Sequence, residues 1–354
     1  MTRQEIIFLI CAFAVAFFFS FISTPVVKMW AVKVKAMDIP KDARRMHKHP
    51  IPRLGGMAII FGFLVAVLCF YGKWDRKIMA MFAGSAIIAI MGVVDDIKAL
   101  DAKPKFFIQI LAALIVIIGG DLKIDVLTNP NFFSDNAYWV LPEWLSIVLS
   151  IVWIVFITNA VNFIDGLDGL AAGVSAIMSV SLVFIAVRVG EYPVAIIGTS
   201  LMGACFGFLP YNFNPAKIFM GDTGSTFLGF ILATLSIQGV FKSYAIISFA
   251  VPLLILGLPL FDAAFAMLRR ISKGQSPMKA DRGHLHHRLI DMGFSQKQTV
   301  FILYAISGVL GITAVVLAES NALRAILILL CVIIFILIEA LLIKPNEDKD
   351  TEDK

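Results

Sequence analysis

The chain has 354 residues, of which 59% are apolar and 16% charged, with a formal net charge of +5 and a mean hydropathy of +0.89; a soluble domain carries about 45–50% apolar and about 25% charged residues. These values exclude a soluble globular enzyme and leave no stretch that reads as a separate aqueous domain, so the length divides into membrane spans. No nucleic-acid partner is expected.

Windows long enough to cross a hydrocarbon core lie at about 5–27, 55–71, 78–94, 106–120, 145–161, 169–187, 194–210, 226–240, 244–266, 299–318 and 321–343. They predict an all-α polytopic membrane protein of about 10–11 transmembrane helices, with residues 1–343 forming one transmembrane catalytic domain and 344–354, "KPNEDKDTEDK", a disordered tail. The first window is read as a retained span, because only Arg3 precedes it and no small-residue cleavage site follows. Cys11, Cys69, Cys205 and Cys331 all fall in apolar runs without CxxC spacing and read as buried fillers. The loops after the odd-numbered windows hold nineteen Lys and Arg residues against eight on the opposite side. The positive-inside rule therefore puts those loops and the C-terminus in the cytoplasm and the N-terminus outside.

Four polar clusters then emerge at that one face. In "IMGVVDDIKA", Asp95 and Asp96 end an apolar run, where two carboxylates meet the negative end of a helix dipole and each other; such an arrangement needs compensation. Lys98, Lys103 and Lys105 follow and can supply part of it. In "TNAVNFIDGLDGL", Asn159, Asn162, Asp165 and Asp168 recur every three residues at the mouth of a span, a placement that is costly unless they face water, metal or partners. In "KIFMGDTGSTFLGF", Asp222 precedes a span that Thr223 or Ser225 can cap. A helix N-terminus attracts phosphate while Asp222 repels it, and a hard divalent cation resolves the conflict. The ninth loop, "DRGHLHHRLIDMGFS", predicts a short amphipathic helix with His284, His287 and Arg288 on one face. Arg282 and Arg288 suit anions, and the histidines can donate hydrogen bonds. Zinc is disfavoured, as no cysteine lies nearby. Pro252, Gly257 and Pro259 predict a bend in the ninth span ahead of Asp262. Neither a P-loop nor a Rossmann fingerprint occurs.

Taken together, "VVDD", "NAVNFIDGLDGLAAG", "YNFNPAKIFMGDTGS" and "HLHHRL" resemble the polyprenyl-phosphate N-acetylhexosamine-1-phosphate transferase family, of glycosyltransferase family 4 type, from "HPIPRLGG" at 49–56 to the end of the ninth loop. "DRGHLHHRL" is similar to the branch that uses UDP-N-acetylglucosamine, as in the initiation of wall teichoic acid or O-antigen. The resemblance implies transfer of the sugar 1-phosphate to undecaprenyl phosphate with release of UMP, in the bacterial cytoplasmic membrane, with Mg²⁺ or Mn²⁺ and with a homodimer allowed. It assigns catalytic roles to Asp95, Asp96, Asp165, Asp168 and Asp222, with Asp95 taking any proton from the lipid phosphate and Asp165 and Asp168 shaping the nucleotide pocket. Asp222 would hold the metal with Asn162. Substrate contacts would come from Asn162, Lys103, Lys105, Arg282, His284, His286 and His287.

The alternatives are a phospho-N-acetylmuramoyl-pentapeptide transferase, an ion-coupled transporter and a scaffold for envelope enzymes. The pentapeptide branch shows consecutive histidines where this chain has His284, Leu285, His286 and His287. A transporter places its ionisable groups near the bilayer midplane, within paired repeats. Here the acids cluster at one face, and a scaffold would tolerate their neutral replacement.

Overall fold

The computed structural model describes residues 1–40, 49–72, 74–128, 138–239, 250–275 and 283–319, with residues 327, 330, 331 and 334. The basic stretch 41–48, Arg282, the rest of the 321–343 window and the tail 344–354 lie outside the described residues.

The fold is an antiparallel helical bundle. Helix α1 (Arg3–Lys33) starts from a capping box in which the Thr2 hydroxyl accepts from the Glu5 amide and the Glu5 carboxylate accepts from the Thr2 amide at 2.8 Å. A two-residue ladder of β1 (Met37–Asp38) with β2 (Ile51–Pro52) leads to α2 (Gly56–Phe70). Asp75 caps α3 (Arg76–Ile97) through the Ile78 amide at 2.9 Å. Helix α4 (Ala102–Leu114) runs on into a π-wound turn, Ile115–Gly119. There Arg76 donates to the otherwise orphaned carbonyls of Ile118 and Gly119. A hairpin of β3 (Val126–Thr128) and β4 (Tyr138–Val140) precedes α5 (Glu143–Phe163). Then follow α6 (Leu170–Arg188), α7 (Tyr192–Asn212), α8 (Gly221–Gly239), α9 (Ala250–Ile255), α10 (Gly257–Ser272), α11 (Leu285–Asp291) and α12 (Gln296–Glu319).

Seven of these, namely α1, α3, α4 with its π turn, α5, α6, α7 and α12, are long and apolar enough to cross a membrane, and α2 is a shorter apolar helix. This is a multi-pass membrane protein. Each of the first eight sequence windows falls on a helix, and the tenth on α12. The bend expected at Pro252, Gly257 and Pro259 is a break, since α9 ends at Ile255 and α10 begins at Gly257.

Helix α8 is the axis of the bundle. Every residue from Thr223 to Gly239 is buried, enclosed by α2, α3, α5, α6 and α7. Its hydroxyls are tolerated because partners are supplied, as where Trp153 Nε1 donates to Ser236 Oγ at 2.9 Å. Helix α1 joins on a stripe of small residues, Ala12, Ala16, Ser20 and Thr24. That stripe lets its backbone approach α7 closely enough for Ser20 Oγ to reach the Ala204 carbonyl at 2.8 Å.

Candidate active site

The ends of α3 and α5, the starts of α2, α4, α6 and α8, and the α11 segment all meet at one end of the bundle. Helix α3 runs through Asp95 and Asp96 to Ile97, so both acids sit in its last turn, at the unfavourable end of its dipole. The compensation comes from three other elements. Asp96 is buried and takes five donors: Arg53 Nε at 3.0 Å and Nη2 at 2.8 Å, the amides of Asp222 and Thr223 at 3.0 Å each, and Thr223 Oγ1 at 2.6 Å. The acid ending one helix thereby caps the start of another, and the cap expected from Thr223 or Ser225 is supplied by α3 instead. Gly221, at φ +72°, is required here, because a side chain would strike the Asp96 carboxylate.

Asp95 accepts from Lys105 Nζ at 2.6 Å and from the Leu100 amide at 2.7 Å. The same Lys105 Nζ reaches Asp222 Oδ2 at 2.8 Å, and Arg53 Nη2 stands 3.7 Å from Asp222 Oδ1. Asp222 is thus held between two cations. Arg53 is fixed by backbone pairing: the Phe219 amide donates to the Pro52 carbonyl at 2.8 Å, and Gly55 and Gly56 donate back to Phe219 and Met220 at 2.9 and 2.8 Å. Burial alone would lower the Arg53 guanidinium, but Asp96 and then Asp222 hold it above its ordinary value.

Two cavities flank this corner. One, of about 610 Å³, has polar walls including Arg53, Asp165, Asp168, Asn214, Asp222 and His287. The other, of about 460 Å³, is an apolar groove between α4 and α5, lined by residues such as Phe106, Val152, Phe156 and Met267, with Lys105, Asn159 and Asn162 its polar members. Asp222 faces the first and Lys105 the second.

In the loop between α5 and α6, Asp165 lines the polar cavity and receives no hydrogen bond from a described residue. Burial, and then the negative charge of Asp222 and Asp96, push its carboxyl up to about 8. Asp168 accepts from Asn214 Nδ2 at 2.9 Å and from the Ala216 amide at 3.0 Å, and Gln296 Oε1 accepts from the same Asn214 nitrogen at 2.6 Å. Tyr304 of α12 donates to the Gly169 carbonyl at 2.6 Å and closes the loop from above. Asn162 donates to Ser225 Oγ at 2.8 Å, and Asn159 and Gln109 exchange amide hydrogen bonds.

Of the histidines, His287 lines the polar cavity, whereas His284 and His286 are buried. His286 packs directly on Gly166, and burial, followed by the charge of His287, pushes its imidazole down to about 3. Lys103 is exposed and lines neither cavity. The structure therefore brings together Asp95, Asp96, Asp165, Asp222 and Lys105, sets Asp168 and His287 on the cavity wall, and leaves Lys103 apart. Arg53 was visible in the sequence only as one loop cation among many. Asn214 stood in the sequence only within the "YNFNPAKIFMGDTGS" motif, with no role of its own, and Gln296 gave no signal.

These features define a polytopic membrane protein whose charged corner opens on one side to a polar cavity and on the other to an apolar groove. Comparison with known proteins gives the class a family. The model of glycosyl transferase family 4 matches residues 78–240, which include all five candidate acids. A Bacillus subtilis (strain 168) protein named probable undecaprenyl-phosphate N-acetylglucosaminyl 1-phosphate transferase is 38% identical over 340 residues, covering 96% of this chain and 93% of its own. Decaprenyl-phosphate N-acetylglucosaminephosphotransferase of Mycobacterium leprae (strain TN) is 33% identical, covering 83% and 80%. Undecaprenyl-phosphate alpha-N-acetylglucosaminyl 1-phosphate transferase of Escherichia coli (strain K12) is 28% identical, covering 82% and 78%. The chain belongs to glycosyl transferase family 4 and is a membrane-embedded enzyme.

Proposed function

We propose that this enzyme transfers N-acetylglucosamine 1-phosphate from UDP-N-acetylglucosamine to undecaprenyl phosphate, releasing UMP, as the first lipid-linked step of a cell-envelope polysaccharide. The observation that carries this reading is the position of Asp222, held by Arg53 and Lys105 where the polar cavity and the apolar groove meet. A volume of about 610 Å³ lies within the roughly 300–1,000 Å³ of small-molecule sites and suits a nucleotide sugar. The groove suits the first isoprene units of a lipid whose phosphate ends at Lys105. The site end of the bundle carries the Lys- and Arg-rich loops, which supports a cytoplasmic face.

Phosphoryl transfer needs alignment and charge neutralisation more than covalent chemistry from the protein. A lipid-phosphate oxygen forms the new bond to the sugar-bearing phosphorus as the bond from that phosphorus to the UMP oxygen breaks, and UMP leaves with the electron pair. An acceptor dianion carries no proton to remove. A monoanion would hand its proton to Asp95, the acid already joined to Lys105. Lys105 screens the acceptor, Arg53 fixes Asp96 and flanks Asp222, and His287, Asn214 and Gln296 border the donor.

Among the described residues no three Asp, Glu, His or Cys form a ready-made metal cage. That fits Mg²⁺, which takes one or two carboxylates and completes its shell with water and phosphate. Asp222 and Asp165, which has no hydrogen-bond donor among the described residues, would hold it; Asn162 turns its amide nitrogen to Ser225 and braces α8. When bound, the ion supplies positive charge to the leaving phosphate.

The test is a transfer assay with purified protein, short-chain polyprenyl phosphate, Mg²⁺ and a panel of labelled UDP-sugars. Label should pass from UDP-N-acetylglucosamine to lipid with UMP released. Transfer only from UDP-N-acetylmuramoyl-pentapeptide would overturn the donor, and no transfer at all would return transport to consideration. With lipid wholly absent, labelled UMP should not exchange into UDP-N-acetylglucosamine; exchange that vanishes in Asp222→Asn would make that residue a covalent nucleophile.

A further inference from the structure

Asp262 has no part in the chemistry above, yet it is among the most completely engaged acids in the molecule. It lies in α10 and is 3% exposed. Its Oδ2 meets His284 Nδ1 at 2.9 Å, and its Oδ1 accepts from the Leu285 amide, at the start of α11, at 2.8 Å. Both oxygens are thus committed to adjacent residues of one segment, which sets that segment's position and its rotation together. A carboxylate on Nδ1 keeps the proton on that nitrogen and orients the ring. Helix α11 has seven residues, too few to hold its shape without tertiary anchors.

From this anchor three imidazoles are laid along the loop that follows α5. His284 packs against Phe163 with ring centroids 5.8 Å apart. His286 stacks parallel to His284 at 5.8 Å and covers Gly166. His287, 4.2 Å from His286, reaches the wall of the polar cavity. Asp262 itself does not line that cavity, so any effect it has on substrate passes through the histidines. An asparagine is not equivalent, because it can keep the Leu285 bond and meet Nδ1 only by donating to it, which removes the charge and forces the other tautomer of His284.

We propose that Asp262 is a positioning residue for the donor: it fixes the histidine segment on the Asp165–Asp168 loop so that His287 is presented to the polar cavity. The inference rests on reading that cavity as the site of the nucleotide sugar. A purely structural role for Asp262 would instead lower stability and disturb donor and acceptor alike.

Steady-state kinetics of the full-length wild type, Asp262→Asn, His287→Ala and the double variant, in detergent with UDP-N-acetylglucosamine and short-chain polyprenyl phosphate, separate the two. Asp262→Asn should raise the donor KM about tenfold or more, the loss expected of a charged hydrogen-bond acceptor, and leave the acceptor KM within about twofold. In the His287→Ala background the same change should add less than about twofold, because both act through one ring. His284→Ala keeps the Leu285 contact to Asp262 and should raise the donor KM by a smaller factor. An unchanged donor KM in both Asp262→Asn and His284→Ala, parallel changes in both KM values, or full additivity with His287→Ala overturns the positioning role. A wild type inactive with UDP-N-acetylglucosamine overturns the reading of the cavity beneath it.

Discussion

At the corner of α3 and α8 each carboxylate has its counter-charge in place: Asp96 has Arg53 and the start of α8, Asp95 has Lys105, and Asp222 has both cations. In the loop between α5 and α6, facing the same cavity, Asp165 has no donor among the described residues, and its carboxyl is pushed up to about 8. The corner's three carboxylates share two cations and several backbone donors, so the fold alone supplies most of its compensation. The loop stays out of balance until something positive arrives, so the first region is scaffold as much as site, and the second is where a ligand changes most.

The sharpest way to break this contrast is Asp222→Asn, which removes the charge shared by both regions. Turnover should fall by roughly a thousandfold, on the scale of losing a preorganised electrostatic group, while thermal unfolding in detergent stays close to wild type; turnover within tenfold of wild type would end its central role. Arg53→Ala should act on the corner as structure, because it strands a buried carboxylate. Breaking a buried pair costs about 3–5 kcal/mol, and the Thr223 bonds that remain on Asp96 put this case near the lower end. A marked drop in the unfolding midpoint is expected, with Arg53→Lys intermediate, since a lysine cannot reproduce the forked contact.

Asp165 tests the other region through pH. Its folded pKa of about 8 lies above its ordinary value of 3.8, so between these limits the folded state holds a proton that the unfolded chain releases. Without divalent cation, this residue's contribution to stability is full below about pH 4, declines as pH rises, and is lost by about pH 8. Asp165→Asn should remove that decline, which unfolding midpoints measured from pH 5 to 9 in chelator would record; identical slopes in the two proteins would refute the imbalance. The smallest effect belongs to Lys103→Ala. That residue is exposed and lines neither cavity, so transfer rates should stay within about twofold, as for a surface charge.

The acids and histidines were legible because polar side chains at the ends of apolar runs have few other reasons to be there, and the spans were legible from length and composition. Partnerships across the chain were not. Arg53 and Asp96 are 43 residues apart, and Asp222 donates its amide to an acid 126 positions earlier; no periodicity links such pairs. Lys103 and Lys105 look equivalent in the sequence, but residues two apart on a helix point to nearly opposite sides, and only Lys105 turns inward. The burial of His284 and His286 was likewise hidden, because the amphipathic reading of α11 depended on what it packed against. Asp262 stood in the sequence only as an acid beyond a predicted bend, and its pairing with His284, 22 residues away, had no local signal.

The groove between α4 and α5 includes the exposed side chains of Phe106, Val152 and Phe163, so it opens sideways from the bundle. A lipid entering there arrives by diffusion within the bilayer or micelle, whereas the nucleotide sugar arrives from water. The two substrates are therefore counted in different units, one per volume of solution and the other per area of membrane. Adding inert detergent at constant bulk lipid thins the acceptor in its own two-dimensional phase and slows the enzyme, with the donor concentration untouched.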